Sequence, residues 1–255
     1  MFPVTDNLRL NRFPIVTVGL IVTNVLAYLL AVRHGGSLLG GPSTRTMLDL
    51  AAIPRALTHP GEHCTLALGG HATACAARTA PAGALPTWMT PLSSMFLQAN
   101  ALHLLGNMLF LAIFGPTLED SLGRLRYGAF YVVGGLVALG AQVALAPNLT
   151  APTLGASGAI AAVLGGYVLL YPRARVFAVS LIVLFFTVVE LPAVVLLALW
   201  GVEQVYFVAA GLSDPVVSGG VIAYFAYAGG FLFGGAVIGR LVKERKIVPP
   251  HRALA

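Results

Sequence analysis

The chain has 255 residues, of which 58% are hydrophobic and only 9% are charged, and its mean hydropathy is +0.87. A water-soluble protein of this composition would leave too much apolar surface uncovered, so a soluble fold is excluded. The net charge of +6 could indicate a nucleic-acid partner, but the basic residues stand at the ends of apolar runs and form no single patch. The composition therefore predicts an integral membrane protein that lies in the lipid bilayer and has no nucleic-acid partner.

The first apolar run extends from Ile15 to Val32 and follows Arg9 and Arg12. A secretory signal peptide would carry a small-residue cleavage site before the next polar segment, and none follows here. We therefore predict a retained first transmembrane helix.

Residues 33–88 are rich in Gly, Pro, Ala, Thr and His and show no helical period, which predicts a long loop insertion. The chain's two cysteines, Cys64 and Cys75, both lie in it, and a disulfide between them is the favoured interpretation for a loop outside the cytoplasm. A metal site with neighbouring histidines is the alternative, but the spacing fits no standard zinc pattern, so we predict neither metal nor cofactor. The histidines concerned are His59, His63 and His71.

Further apolar runs predict about six helices in all. Pro91 and Asn100 divide the run from Trp88 to Leu118 into a shallow amphipathic piece and a span that begins near Ala101. The other predicted spans are Tyr127–Ala146, Leu154–Tyr171, Leu191–Val208 and Val217–Ile238.

Glu190 interrupts the long apolar run from Val176 to Val208. With Pro192 it is typical of a helix start, since acidic residues favour the first turn and proline the first helical position. The segment Val176–Val189 is then predicted to be interfacial or re-entrant.

The basic residues fall on alternate connections, as expected for the cytoplasmic side of a membrane protein. The opposite connections hold the long loop and the acidic Glu203 and Asp214. We predict a multi-pass protein of a bacterial-type cell membrane with both termini in the cytoplasm and residues 240–255 as a tail. The basic residues on the inner side are Arg9, Arg12, Arg124, Arg126, Arg173, Arg175, Arg240, Lys243, Arg245, Lys246 and Arg252.

Two polar residues share one face of the predicted helix that begins near Ala101. His103 and Asn107 are spaced i, i+4, and both can donate hydrogen bonds into the helix bundle. Taken alone, the pair is more often a contact that joins two helices than a functional site.

The sequence Gly155-Ala156-Ser157-Gly158 opens a later predicted helix. The glycines leave the serine hydroxyl accessible, and backbone N–H groups at a helix start can face a developing negative charge. The structural alternative is an N-cap serine on a close-packed helix.

The last predicted span is rich in glycine. Gly230 and Gly234 have the spacing that lets two helix backbones approach closely, and the helix of Ser157 is the expected partner. Tyr227 lies one turn before Gly230 on about the same face, so its phenol is expected to point toward that contact.

Together these segments resemble the rhomboid family of intramembrane serine proteases, over most of the chain from Trp88 to Gly239. The resemblance rests on Met95-Phe96-Leu97, His103-Leu104-Leu105-Gly106-Asn107-Met108, Gly155-Ala156-Ser157-Gly158-Ala159 and the glycine-rich last span. It implies an all-α membrane protein, a single domain over 1–255 with a bundle of six transmembrane helices and a long extracytoplasmic loop after the first.

The resemblance also implies an activity, the cleavage of transmembrane segments of other membrane proteins through a serine acyl-enzyme. Ser157 matches the nucleophile, and His103 and Asn107 match the side chains that bind the oxyanion. Gln98 stands where the family commonly has a histidine. The implied partners are transmembrane helices of substrates or clients.

Tyr227 occupies the position at which the family carries its general-base histidine. A phenol stays protonated near neutral pH and scarcely accepts a serine proton, so the expected proteolysis is weakened. A catalytically inactive relative that binds transmembrane helices is the alternative function.

Overall fold

Six long helices follow one another within the described part of the chain, in the order in which the sequence predicts its apolar spans. The computed structural model describes residues 2–66, 73–77, 83–182, 185–213 and 224–244. The long helices are α1 (Ile15–Arg33), α5 (Ala101–Leu122), α6 (Arg124–Leu145), α7 (Ser157–Leu170), α8 (Ala193–Ser213) and α9 (Tyr224–Lys243). The smaller elements are β1 (Phe2–Asp6), α2 (Thr44–Leu50), α3 (Pro54–Thr58), β2 (Glu62–Leu66), β3 (Thr73–Ala77), a 3₁₀ turn (Thr87–Met89), α4 (Thr90–Ser94), β4 (Arg175–Ile182) and β5 (Phe185–Pro192).

Four of these helices are long and apolar enough to cross a membrane: α1, α5, α6 and α9. The helix α7 has 14 residues and lies at the centre of the bundle, where every side chain from Ala159 to Tyr167 is buried. Its neighbours α5, α6 and α9 pack around it. A helix that is apolar all round is the expected element for such a position.

The contact between α7 and α9 is close because small residues line it. A Cβ atom at Gly230 would run into the backbone oxygen of Gly158, and one at Gly234 would run into that of Ala162. These are the glycines from which the sequence predicts the contact, and they bring the start of α9 against the start of α7.

A buried carboxylate anchors the first helix to the bundle. Glu119, near the end of α5, is 3% exposed and accepts hydrogen bonds from the backbone N–H groups of Val16 (3.0 Å) and Thr17 (2.7 Å). It also accepts from the Thr17 hydroxyl at 2.8 Å. The carboxylate therefore satisfies N–H groups that the first turn of α1 would otherwise leave unpaired.

The segment between α1 and α5 is not the featureless loop that the sequence predicts, since it contains α2, α3 and a hairpin of β2 and β3. Cys64 and Cys75 face each other across this hairpin and form a disulfide, with their Cα atoms 4.0 Å apart. Ser43 caps α2 through the Thr46 N–H. Such short elements carry no apolar period long enough to be seen in a sequence.

The shallow piece predicted before α5 is present as the 3₁₀ turn and α4, and α5 begins at Ala101 as expected. Backbone hydrogen bonds join this region to the start of α7, from Thr153 N–H to Ala52 and from Gly155 N–H to Ser94. The disulfide hairpin, the start of α5 and the start of α7 therefore share one end of the bundle, which we call the disulfide face.

The opposite end carries a three-stranded antiparallel sheet in the order β1-β4-β5, which we call the sheet face. The predicted helix start is present two residues late, because α8 begins at Ala193, directly after Pro192. The prediction that Glu190 lies in the first turn of this helix is wrong, because it lies in β5. Glu190 forms an ion pair with Arg175 of β4 at 2.9 Å. Strands form here because Val176–Val189 is rich in β-branched and aromatic residues, which favour β-sheets. The expectation of an all-α protein thus misses two small sheets.

The sequence predicts that Glu203 lies in a connection between spans, and this prediction is wrong. It lies in the middle of α8, where its side chain is exposed. Asp214, His71 and the segment 245–255 lie outside the described residues.

Candidate active site

The first turn of α5 is set by its N-cap. The side-chain oxygen of Asn100 accepts a hydrogen bond from the backbone N–H of His103 at 2.8 Å. This cap fixes where the helix begins, so that His103 lies in the first turn and Asn107 one turn later on the same face. Both residues then face α7.

The ring of His103 is oriented by a second contact. Its Nδ1 accepts a hydrogen bond from the backbone N–H of Ala99 at 3.3 Å. In a neutral imidazole one nitrogen accepts and the other donates, so this contact assigns the proton to Nε2. The Nε2 edge faces Gly155, where an added Cβ atom would lie 3.1 Å from Nε2.

Asn107 is held by a chain of buried amides. Its Nδ2 donates to Oε1 of Gln98 at 2.7 Å, and Nε2 of Gln98 donates to Oδ1 of Asn24 at 2.9 Å. Gln98 and Asn24 are both fully buried. These hydrogen bonds fix the rotamer of Asn107, which lines the cavity described below.

Ser157 is the first residue of α7, and the structure excludes its interpretation as an N-cap. The cap residue is Ala156, and no side-chain hydrogen bond caps the helix. Gly155 precedes it at φ +115°, a backbone conformation that L side chains rarely adopt. An added Cβ at Gly155 would lie 3.5 Å from the Ser157 Oγ, so the hydroxyl and the His103 ring flank the same point.

Tyr227 approaches the serine from α9. Tyr227 and Ser157 line the same cavity, which is described below. The ring of Tyr227 packs on Trp200 of α8, with the ring centroids 6.1 Å apart. Ser157 therefore shares its cavity with a phenol from α9 and an imidazole from α5.

One cavity of about 380 Å³ contains all four of the polar residues that the sequence singles out. It lies between α5 and α8, and both Leu102 and Trp200 line it. The exposed side chain of Leu102 marks its edge. The remaining lining residues are Asn100, His103, Gly106, Asn107, Phe110, Ser157, Ile160, Leu164 and Tyr227.

The described residues hold no group of three His, Cys, Asp or Glu side chains that could bind a metal ion. The disulfide also removes both thiolates from the alternative His and Cys site near His59 and His63. In that region the Arg55 guanidinium donates to Glu62 at 2.7 Å and lowers the pKa of this carboxyl.

Comparison with known proteins matches residues 86–244 to the rhomboid domain family. The matched segment contains α4 to α9 and every residue that lines the cavity. The chain belongs to the rhomboid family. It is therefore an integral membrane protein of a family that includes serine proteases.

A relative in Arabidopsis thaliana, RHOMBOID-like protein 5, is 30% identical to this rhomboid over 129 residues. The match covers 51% of this chain and 34% of the relative, so the chain spans about a third of that protein's length.

The residues that contact the central side chains of this rhomboid belong to no motif in the sequence. Gln98 stands out only as a departure from the family, and Asn24 and Trp200 lie in apolar runs. Asn24 carried a usable signal, since a side-chain amide inside an apolar span must find a partner. Trp200 carried none, because an aromatic residue in an apolar helix is ordinary packing.

Proposed function

We propose that this rhomboid is an intramembrane serine endopeptidase of weakened activity, which cleaves transmembrane segments of other membrane proteins. The observation that carries the proposal is the convergence of Ser157, His103 and Asn107 on one cavity between helices. A hydroxyl nucleophile opposite two hydrogen-bond donors is the arrangement that acyl transfer requires.

In the proposed reaction, Ser157 Oγ attacks the carbonyl carbon of a substrate peptide bond. The oxygen of the tetrahedral intermediate then accepts hydrogen bonds from His103 Nε2 and from the Asn107 side chain, with backbone N–H groups at the start of α7 adding positive potential. Collapse of the intermediate breaks the C–N bond: the amine leaves with the proton that Oγ lost, and the acyl group stays on Ser157. Water subsequently hydrolyses that ester.

The weak step is removal of the serine proton. Tyr227 stands where a base is needed, and a neutral phenol donates a hydrogen bond far more readily than it accepts a proton. In soluble serine proteases that lose one member of the triad, about 10³ to 10⁴ of rate enhancement over water remains. We expect residual activity of that kind here.

Labelling by a fluorophosphonate probe tests the proposal on the purified full-length chain. We expect feeble labelling of the native chain, none in Ser157→Ala, and a large rise in Tyr227→His, because an imidazole at this position can accept the Oγ proton. Strong Ser157-dependent labelling of the native chain would refute the role given to Tyr227. Absence of labelling in Tyr227→His, with the chain folded, would refute the protease assignment.

A second candidate is a catalytically inactive rhomboid that binds transmembrane helices of clients. Tyr227 at the position of the base favours it, because a neutral phenol scarcely accepts the proton of the Ser157 hydroxyl. One measurement distinguishes the two functions. The inactive rhomboid would release a bound transmembrane peptide intact after hours of incubation, whereas the protease would cleave it.

The proposal includes six spans and a membrane orientation. The disulfide between Cys64 and Cys75 supports placing the disulfide face outside the cytoplasm, since such bonds persist in oxidising compartments. The basic residues near the sheet face support placing both termini inside. Protease protection of an epitope fused to Ala255 in sealed cells tests this orientation.

A further inference from the structure

Glu203 is a carboxylate in the middle of an apolar helix. It is the eleventh residue of the 21-residue α8. Charged side chains at membrane depth are costly and mark sites where a polar or charged partner arrives. No motif considered above uses this residue.

The position of Glu203 on the helix shows which way it faces. Seven residues earlier, and therefore on nearly the same face, Leu196 is buried against the bundle and only 5% exposed. Val195 and Val202, which are 41% and 67% exposed, lie on the outer face toward lipid. Glu203 thus lies at the edge of the stripe of α8 that faces the bundle, and its side chain is exposed there.

The active-site cavity reaches α8 one turn before this edge. Trp200, one turn before Glu203, lines the cavity and packs on Tyr227. On the other flank of α8, Leu197 and Gly201 line an apolar groove shared with α9, which Trp200 and Tyr227 also border. Leu196 and Glu203 are on the flank away from that groove, which is the side toward α5.

Glu203 also lies at about the same depth in the membrane as the residues of the active-site cavity. Three residues of helix add about 4.5 Å along the axis, so Glu203 lies one short step from Trp200 toward the disulfide face. The nucleophile at the start of α7 lies near that same face. A segment that enters between α5 and α8 to reach Ser157 would pass this carboxylate.

Among the described residues, Glu203 takes part in no ion pair and no hydrogen bond. Glu119 and Glu190, by contrast, each have a partner inside the protein. A carboxylate at membrane depth without a partner in its own chain is stabilised when a cation from another molecule pairs with it.

We infer that Glu203 selects transmembrane segments that carry a lysine or arginine near the end that lies at the disulfide face. The inference rests on the proposed function for its site, but it concerns recognition and not the chemical step. The carboxylate pairs with the cationic side chain while the segment is seated between α5 and α8, which favours that segment over a neutral one.

Binding in vesicles tests the inference without requiring catalysis. The full chain is reconstituted with a tryptophan-free peptide of about 20 alanine and leucine residues that carries a dansyl group and either Lys or Gln near the end at the disulfide face. Energy transfer from the protein's two tryptophans reports binding. We expect the Lys peptide to bind about tenfold more tightly than the Gln peptide, a ratio typical of one partly desolvated charge pair.

Three variants make the result decisive. Glu203→Gln should abolish the preference while leaving the binding of the Gln peptide unchanged, and Glu203→Lys should reverse it in favour of a peptide with Glu at the same position. Val202→Gln is the matched control, because it adds an amide on the neighbouring lipid-facing position and should leave the preference intact. An equal preference in Glu203→Gln would overturn the inference.

The lipid headgroup is the competing cation, and the composition of the vesicle separates the two. If the effect of Glu203 appears only with phosphatidylethanolamine and is independent of the peptide's charge, the inference is wrong.

Cleavage of the same peptides is then measured in Tyr227→His. Preferential binding of the Lys peptide without cleavage would support this inference and refute the protease assignment. Cleavage without a charge preference would support the protease assignment and refute this inference.

Discussion

The Nδ1 atom of His103 accepts a hydrogen bond from the backbone N–H of Ala99, at 3.3 Å, just before α5 begins. This contact commits the ring to the tautomer that carries its proton on Nε2, on the edge that faces Gly155 and Ser157. A histidine held in this way donates toward the serine and is a poor substitute for the base that Tyr227 replaces.

We therefore expect ¹⁵N spectra of histidine-labelled protein to show His103 as the Nε2–H tautomer at neutral pH, with the signal assigned by its loss in His103→Gln. In the Tyr227→His background, His103→Ala should reduce fluorophosphonate labelling about 10²- to 10³-fold, the usual effect of losing one oxyanion donor. His103→Gln, which keeps a donor, should lose less. An Nδ1–H signal for His103 would contradict the assignment.

Gln98→Leu should destabilise the protein by about 1–3 kcal/mol, because it leaves the buried amide of Asn107 and the buried oxygen of Asn24 without partners. Unfolding by SDS in mixed micelles, followed by circular dichroism, measures the loss. Thr23→Val is the control, since it removes an exposed hydrogen bond in the same helix as Asn24 and should change stability by less than about 0.5 kcal/mol. Equal effects of the two changes would show that the amide chain contributes nothing particular.

The helices of this rhomboid were largely predictable, and the residues that hold its site in place were not. The spans from Ile15 and from Ala101 are visible because about 20 consecutive apolar residues leave few alternatives in a membrane. By contrast, Glu190 lies in β5, which pairs with the neighbouring β4, and the acidic residue and proline before α8 indicated a helix start instead of this strand. The link from Asn107 through Gln98 to Asn24 joins two helices separated by a long insertion, and no spacing rule encodes it.

Gly234→Ala should separate α9 from α7. An added Cβ would collide with the backbone of Ala162, which cannot rotate away as a flexible side chain could, and overpacking of this kind costs about 1–3 kcal/mol. Gly235→Ala is the matched control one residue away, because its Cβ would meet only the oxygen of Gly165 at 3.8 Å. The same SDS titration should show a clear loss for the first variant and little change for the second. Similar stabilities would contradict the close contact.

Glu119→Ala should lower stability by about 2–3 kcal/mol, since it removes the acceptor of two backbone N–H groups and one hydroxyl at the buried start of α1. Asp120→Ala is the control: its contacts with Asn11 are exposed, and we expect a change of at most about 0.5 kcal/mol. Limited proteolysis near residue 10 should show α1 loosened in the first variant alone. An unchanged cleavage pattern in Glu119→Ala would contradict the anchoring role.

Gly155→Ala should disturb the site more than the fold. The residue stands at φ +115°, and its new Cβ would lie 2.7 Å from Cε1 of His103, so both the backbone and the imidazole must shift. In the Tyr227→His background we expect fluorophosphonate labelling to fall at least tenfold, while SDS unfolding changes by about 1–2 kcal/mol. Gly140→Ala in α6 meets no atom within 4 Å and should preserve labelling, with stability unchanged or raised by up to about 1 kcal/mol. Full labelling of Gly155→Ala would mean that the His103 ring does not have to lie where the structure places it, and the oxyanion role proposed for that ring would fail with it.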